Sequence, residues 1–284
     1  MRGRRQGDRS PRVSHTVPVV VIPARAPTRR APSRAPLYRT MGYTLDISAR
    51  FLASGLVGRG TIARADELLD GWAQRIFRSG NASLEVHGRE RLEPGAPYVF
   101  MSNHRSLLDI PAMFAAVPGS LRMVLKQELC RVPVWGRALV ASGFIPIDRG
   151  NTARAIQQLE LAKERLHQGV SVWISPEGTR SRTGALGPFK KGGFHIARDL
   201  GVPIVPVWIE GTDTIIPPDN FVARYDGEAQ VRFGPPVTTT DVEIPALMEQ
   251  VRAAMLALAP TGPATEDGAP ATPDVERPHE RRPA

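Results

Sequence analysis

Hydrophobic and polar positions change period several times along this 284-residue chain. Between residues 62 and 79, Ile62, Ala65, Leu69, Trp72 and Ile76 recur at steps of three and four, the spacing of one face of an α-helix. The stretch from Leu45 to Val57 is also apolar, with Arg50 in its midst. Together they predict a helical pair that lies against a membrane surface or packs on the protein's own core. Short apolar runs follow at Tyr98–Ser102, Arg122–Leu125, Phe144–Ile147, Val170–Ile174 and Ile204–Ile209, each of strand length. Helical patterns sit between several of them. The clearest spans 152–168, with Ala155, Leu159, Ala162 and Leu166 on one stripe and Gly169 as its stop. A last helix is expected over about 243–258. Strands alternating with helices predict an α/β fold: a single mostly parallel sheet flanked by helices, preceded by an N-terminal amphipathic helical segment.

Composition sets the expected boundaries. Residues 1–40 are rich in Arg, Pro, Ala and Ser and bury too little apolar surface to offset the entropy of ordering, so they read as a disordered basic tail. Residues 41–80 form the helical segment, 81–259 the α/β domain, and 260–284 a second disordered tail rich in Pro and charge. Met41 opens the more protein-like sequence, so the first 40 residues also read as an over-extended gene start or an inert extension; an anionic lipid or nucleic acid is the alternative. The net charge is +9, yet ten arginines against Asp8 place all of it in residues 1–40. The remainder is electrically balanced, so no nucleic-acid partner is expected of the folded part.

Cys130 is the single cysteine, which excludes an internal disulfide and points to a reducing compartment; in its apolar surroundings it reads as a packing residue. Six scattered histidines and one cysteine make no zinc site, and no metal or bound cofactor is expected. No run approaches the 18 to 20 apolar residues that cross a bilayer, and Val17–Ile22 is short, broken by Pro18 and without a cleavage site.

Four blocks carry chemistry. Asn103-His104-Arg105-Ser106-Leu107-Leu108-Asp109 follows an apolar strand, where α/β folds place reactive groups. With His104 on the loop and Asp109 in the first helical turn, the carboxylate reaches back to the imidazole Nδ1–H and leaves Nε2 free to take a proton; Ser106 is available as the helix N-cap. Alone, this spacing is short and common by chance, and it reads first as a capping loop. Ser175-Pro176-Glu177-Gly178-Thr179-Arg180-Ser181-Arg182 opens a loop running through Gly184, Gly187, Lys190, Lys191, Gly192 and Gly193. Arginines with flexible glycines ahead of a helix start suit a phosphate, although the spacing is not that of a Walker loop and a solvated basic loop has the same composition. Gly143-Phe144-Ile145-Pro146-Ile147-Asp148-Arg149 offers Arg149 at a strand end. Val202-Pro203-Ile204-Val205-Pro206-Val207 has no reactive atom and reads as shaping a pocket or a sheet edge.

In order and spacing, N-H-x-S-x-x-D, F-I-x-x-x-R, P-E-G-T-R-S and V-P-I-V-P, with K-K-G-G-F-H-I-A at 190–197, resemble the glycerolipid acyltransferase family over roughly 83–240, most of all its 1-acyl-glycerol-3-phosphate acyltransferases. The resemblance implies a glycerol-3-phosphate acyltransferase-like fold over 81–259. It implies that His104 is the general base on the acceptor hydroxyl, that Asp109 orients it, and that no acyl-enzyme forms. It further implies that Arg149, Glu177, Gly178, Thr179 and Arg180 bind the acceptor's glycerol phosphate. The substrates are then lysophosphatidate and an acyl thioester of CoA or acyl-carrier protein, with phosphatidic acid as product. A peripheral place on the cytoplasmic face of the cell membrane is expected, through residues 44–79. Ser175 stands where the family usually has Phe, and Pro146 enters the second block; neither removes a functional group. Other acceptors remain open: glycerol 3-phosphate, lyso-ornithine lipid or another lysophospholipid. So does a non-catalytic binder driven by the arginine tail. A serine hydrolase lacks its G-x-S-x-G elbow.

Overall fold

The structure is a computed structural model. It describes residues 19–260 except Ala24, Arg29, Arg149, Arg182 and 219–221, and omits the side chains of Val20, Thr152, Ala153, Ala155 and Ile156. The elements run β1 (Val19–Ile22), α1 (Ala35–Leu56), α2 (Ile62–Ser79), β2 (Ser83–His87), β3 (Val99–Ser102), α3 (Asp109–Ala116), β4 (Leu121–Lys126), α4 (Trp135–Ala141), β5 (Ile145–Ile147) and α5 (Thr152–His167). They continue with β6 (Ser171–Ile174), α6 (Gly192–Leu200), β7 (Ile204–Glu210), α7 (Thr212–Ile215), β8 (Glu228–Phe233) and α8 (Ile244–Ala257).

All eight strands form one sheet in the order β1-β2-β8-β7-β3-β6-β4-β5. The half from β7 to β5 is parallel throughout, whereas β1–β2 and β7–β8 are antiparallel, so the sheet is mixed. The five expected apolar runs supply that parallel half. Buried on both faces, its strands read as near-continuous hydrophobic sequence. β2 and β8 alternate polar and apolar residues instead and have no counterpart among the predicted runs. Pro146 lies in β5, an edge strand, where a missing N–H costs no ladder bond. The prolines of the fourth block do not mark an edge: β7 is interior, and Pro206 lies one residue before its antiparallel ladder to β8 begins.

The expected tail boundaries are corrected at the front. Residues 1–18 and 261–284 lie outside the described residues, but 19–22 are a strand and α1 begins at Ala35, ahead of Met41. Ile22 is fully buried against the sheet. Beyond it the chain is tied down at Thr28, whose N–H and hydroxyl both donate to Asp226, and at Ser33, which exchanges two backbone hydrogen bonds with Ala223. The composition of this segment is tail-like; the sheet edge it covers supplies the burial that its own residues lack.

Side-chain alternation divides the strands' residues between two cores. Tyr98, Phe100 and Trp173 face the side covered by α2, α3 and α4; Val99, Met101 and Val172 face the side covered by α5, α6 and α8. Local signals set the helix ends. Thr61 accepts from the Arg64 N–H ahead of α2, Asn151 does the same for Arg154 ahead of α5, and Gly201 closes α6 in the left-handed region. α2 is also anchored by charge. Arg122 on β4 is wholly buried, pairs with Asp66 of α2 at 2.6 Å and donates to the backbone carbonyls of Ser142, Leu121 and Ile62.

Candidate active site

β7, β3 and β6 are adjacent and parallel, so the loops leaving their carboxyl ends emerge side by side. The first block leaves β3, the Glu177–Arg180 block leaves β6, and Gly211-Thr212 leaves β7. Strand adjacency therefore joins segments about seventy and more than a hundred residues apart, as the general rule for open α/β sheets expects.

Asp109 is the hub. It is 1% exposed and opens α3, where a carboxylate also complements the helix dipole. Its Oδ2 accepts from His104 Nδ1 at 2.7 Å, from the Arg105 N–H at 2.7 Å and from the Ser106 N–H at 2.9 Å. Its Oδ1 accepts from Thr212 Oγ1 at 2.5 Å. With the carboxylate acting as acceptor to every neighbour, His104 must donate through Nδ1, and Nε2 carries the lone pair. The imidazole is further fixed by the edge of the Trp173 ring, at 6.2 Å between centroids, and Trp173 is itself held by a 2.9 Å bond to Ser102 Oγ. The His104 side chain is 19% exposed, so the imidazole remains reachable. Ser106 is not the N-cap. The helix starts three residues later, and the Ser106 hydroxyl instead accepts from the Leu108 N–H and donates to the Ile216 carbonyl.

Three supporting residues have no role in the sequence reading. Asn103 is buried and pairs both ways with Ile209, its amide donating to the carbonyl and its oxygen accepting the N–H, each at 2.8 Å. This splices the end of β3 to β7. Thr212 and Trp173 come from β7 and β6 ends, and only the motif's Asn offered any sequence signal.

The second block wraps the same centre. The Ser181 N–H donates to the His104 carbonyl at 2.8 Å, and the Lys190 N–H to the Pro176 carbonyl at 2.8 Å. Gly178 sits at φ +74, and the Lys190 side chain occupies the space a Cβ would need. Glu177 is half-buried and turned into the loop, accepting the Gly187 N–H at 2.8 Å; burial raises its carboxyl above the ordinary range. Thr179 is exposed, and Arg180 reaches the Pro218 carbonyl at 3.5 Å. Arg105 spans from Gly184 to Asp213, with which it pairs at 3.1 Å. Glu177, Gly178, Thr179 and Arg180 thus lie on the loop that touches His104, while Arg149 lies outside the described residues.

A cavity of 560 Å³ opens beside the block. Its walls come from α1, α2, α3, α4 and β4, and it reaches Leu107 and Leu108, between the base and Asp109. Almost all of its lining is apolar, which suits an aliphatic chain rather than a charged ligand. Among the described residues, no helix is long and apolar enough to cross a membrane.

Residues 83–210 match the Acyltransferase family. The chain is 39% identical over 182 residues to human 1-acyl-sn-glycerol-3-phosphate acyltransferase alpha, covering 61% of this chain and 62% of that protein. It is 35% identical to the Saccharomyces cerevisiae 1-acyl-sn-glycerol-3-phosphate acyltransferase, over 61% of this chain and 58% of that protein. The chain thus spans less than two thirds of the length of these curated relatives. The crystal structure of the 1-acyl-sn-glycerophosphate acyltransferase from Thermotoga maritima superposes with a TM-score of 0.61 at 24% identity, covering 78% of this chain and 95% of that one, and shares the fold. The family match thus covers residues 83–210, less than half of the chain.

Proposed function

We propose that the acyltransferase domain carried by this chain moves an acyl group from acyl-CoA or acyl-carrier protein to the free hydroxyl of 1-acyl-glycerol-3-phosphate, giving phosphatidic acid. The observation that carries this reading is His104, fixed through Nδ1 by Asp109 at 2.7 Å, on the loop whose Leu107 and Leu108 line an apolar cavity. An alcohol is a poor nucleophile at neutral pH, and a base held in one tautomer removes that difficulty. As the acceptor oxygen attacks the thioester carbonyl, its proton passes to His104 Nε2. The tetrahedral intermediate then breaks its C–S bond, and the departing thiolate takes the proton from the imidazolium. No residue of the chain is acylated.

The names of the curated relatives support lysophosphatidate as acceptor. The basic loop supports an anionic one: Arg180 and Lys190 stand on the segment bonded to the His104 carbonyl. In this reading Gly178, Thr179 and Arg180 hold the glycerol phosphate, with Arg149 from the end of β5, while Glu177 shapes the loop. The cavity takes an acyl chain. Because both lipids live in a bilayer, the protein works from the cytoplasmic face of the cell membrane as a peripheral enzyme, with α1 and α2 against the lipid.

Acyl transfer from oleoyl-CoA to lysophosphatidate, glycerol 3-phosphate, lysophosphatidylcholine and lyso-ornithine lipid tests the reading, with wild type and His104→Ala side by side. Transfer to lysophosphatidate should fall by about a hundred- to ten-thousandfold in the variant. Transfer to a different acceptor alone overturns the substrate, and a fully active His104→Ala overturns the base.

A further inference from the structure

Some residues both line the cavity and stand exposed, and these mark its mouth: Met41 and Leu45 on α1, Leu107 beside the base, and Val132 on the far side. The exposed part of the lining is thus apolar, and Val132 brings the segment 131–140 to the mouth beside the N-terminal helices. That segment continues outward. Val134 and Val140 are exposed but do not line the cavity, so no chain bound inside covers them. Pro133 is exposed with them.

The backbone holds Val134 out by force. It sits at φ 62 and ψ −62, and the Trp135 N–H bonds back to the Pro133 carbonyl at 2.7 Å, which is the rare and strained form of the γ-turn. For a β-branched residue this conformation is a marked outlier, and such strain gathers at functional surfaces. Arg131 and Arg137 alternate with Val134 and Val140 along the segment. Both are exposed, and neither forms a direct ion pair among the described residues; Glu128, which Lys126 pairs at 3.2 Å, also feels the charge of Arg131.

We propose that segment 131–140 is a lipid-contacting tip that, together with α1, seats the cavity mouth on a membrane bearing anionic headgroups. The valines enter the acyl boundary, and the two arginines stay at headgroup level. A bilayer fits this surface better than a protein partner does, because a protein seated here would close the mouth, whereas lipid lets an aliphatic chain pass into the cavity without crossing water. The inference rests on the reading that this site takes membrane lipids.

The test is flotation of the full chain with phosphatidylcholine vesicles, with and without phosphatidylglycerol. The double variant Val134→Asp/Val140→Asp should bind vesicles about a hundredfold more weakly, about tenfold for each valine withdrawn from lipid. Arg131→Glu/Arg137→Glu should lose the preference for phosphatidylglycerol, by about fivefold per charge. Both variants should retain wild-type acyl transfer to a short-chain, freely soluble lysophosphatidate and lose transfer to a long-chain acceptor held in vesicles. If both float as the wild type does, or if the wild type does not bind vesicles, the tip is wrong. Should the valine variant unfold, the arginine variant decides the matter alone, since its side chains stand in solvent. A wild type that acylates lysophosphatidate in neither form sinks the proposed function, and flotation still decides the tip.

Discussion

The two faces of this sheet are built from the same strands and finished differently. On one side α5, α6 and α8 lay Phe194, Leu247, Val251 and Met255 on Val99, Met101 and Val172, all fully buried. On the other, α2, α3 and α4 cover Phe100 and Trp173 but hold apart far enough, with α1, to leave 560 Å³ unfilled. Close packing is what a face does when stability is its only task, since each large side chain withdrawn from water contributes about 1.5 to 3 kcal/mol. A hollow of this size forgoes such contacts. It persists here because the hollow side is braced by other means, notably the buried Arg122 that ties α2 to β4 and to the carbonyl ending α4. One face is packed solid and the other is left hollow, and the hollow reaches Leu107 and Leu108 of the loop that carries His104.

Asp109 breaks this division most sharply, being as buried as any core residue and yet bonded to His104, the base of the proposed reaction. Asp109→Asn puts an amide among four donors, so it should lose turnover by about a thousandfold or more and also cost about 1 to 3 kcal/mol of stability. Steady-state kinetics beside denaturant unfolding would show both losses; an unshifted unfolding midpoint would mean the donor network matters less than its geometry suggests. Next in size is Leu247→Ala on the packed face, where about 2 to 5 kcal/mol of stability should go while kcat/KM of the folded fraction stays unchanged. A change in chain-length preference in that variant would mean the faces are not separate.

Ala138→Met addresses the hollow face. Ala138 lines the cavity, so a longer side chain fills empty space, leaving stability nearly unchanged and cutting transfer of the longest acyl chains by about tenfold relative to shorter ones. Competition between two acyl-CoA lengths reads this directly. The smallest effect is expected at Glu177. Its carboxyl is raised by burial from the ordinary 4.5, so the folded chain holds that proton to higher pH than the unfolded chain does. The stability this gives is complete below 4.5 and is lost as pH climbs through the raised value. Glu177→Gln should therefore flatten the decline in Tm on going from acid to neutral pH. A steeper decline in the variant would reverse the sign.

Legibility followed burial. The parallel strands were readable because both their faces are covered, which writes them as apolar runs; β2 and β8, S-L-E-V-H and E-A-Q-V-R-F, alternate and do not stand out as runs. Steps of three and four announced α2, and the stripe stopped by Gly169 announced α5, whereas α4 and α7 are too short to show a period. His104 and Asp109 were readable because five residues span the turn between a strand and its helix. Thr212 and Trp173 were not, since nothing local links them to His104.

By itself, then, the sequence determined the alternation of strands and helices, the pairing of His104 with Asp109, and the basic loop. Each of these is written in a span of a few residues, where periodicity, capping and reach act directly. The tertiary structure alone decided that an Arg- and Pro-rich segment closes a sheet edge, that β7 lies inside the sheet despite its prolines, and that one face stays hollow. It alone decided that the segment with the exposed valine turn meets that hollow through Val132. These depend on which strands become neighbours, a choice made by burial summed over the whole chain rather than by any stretch of it.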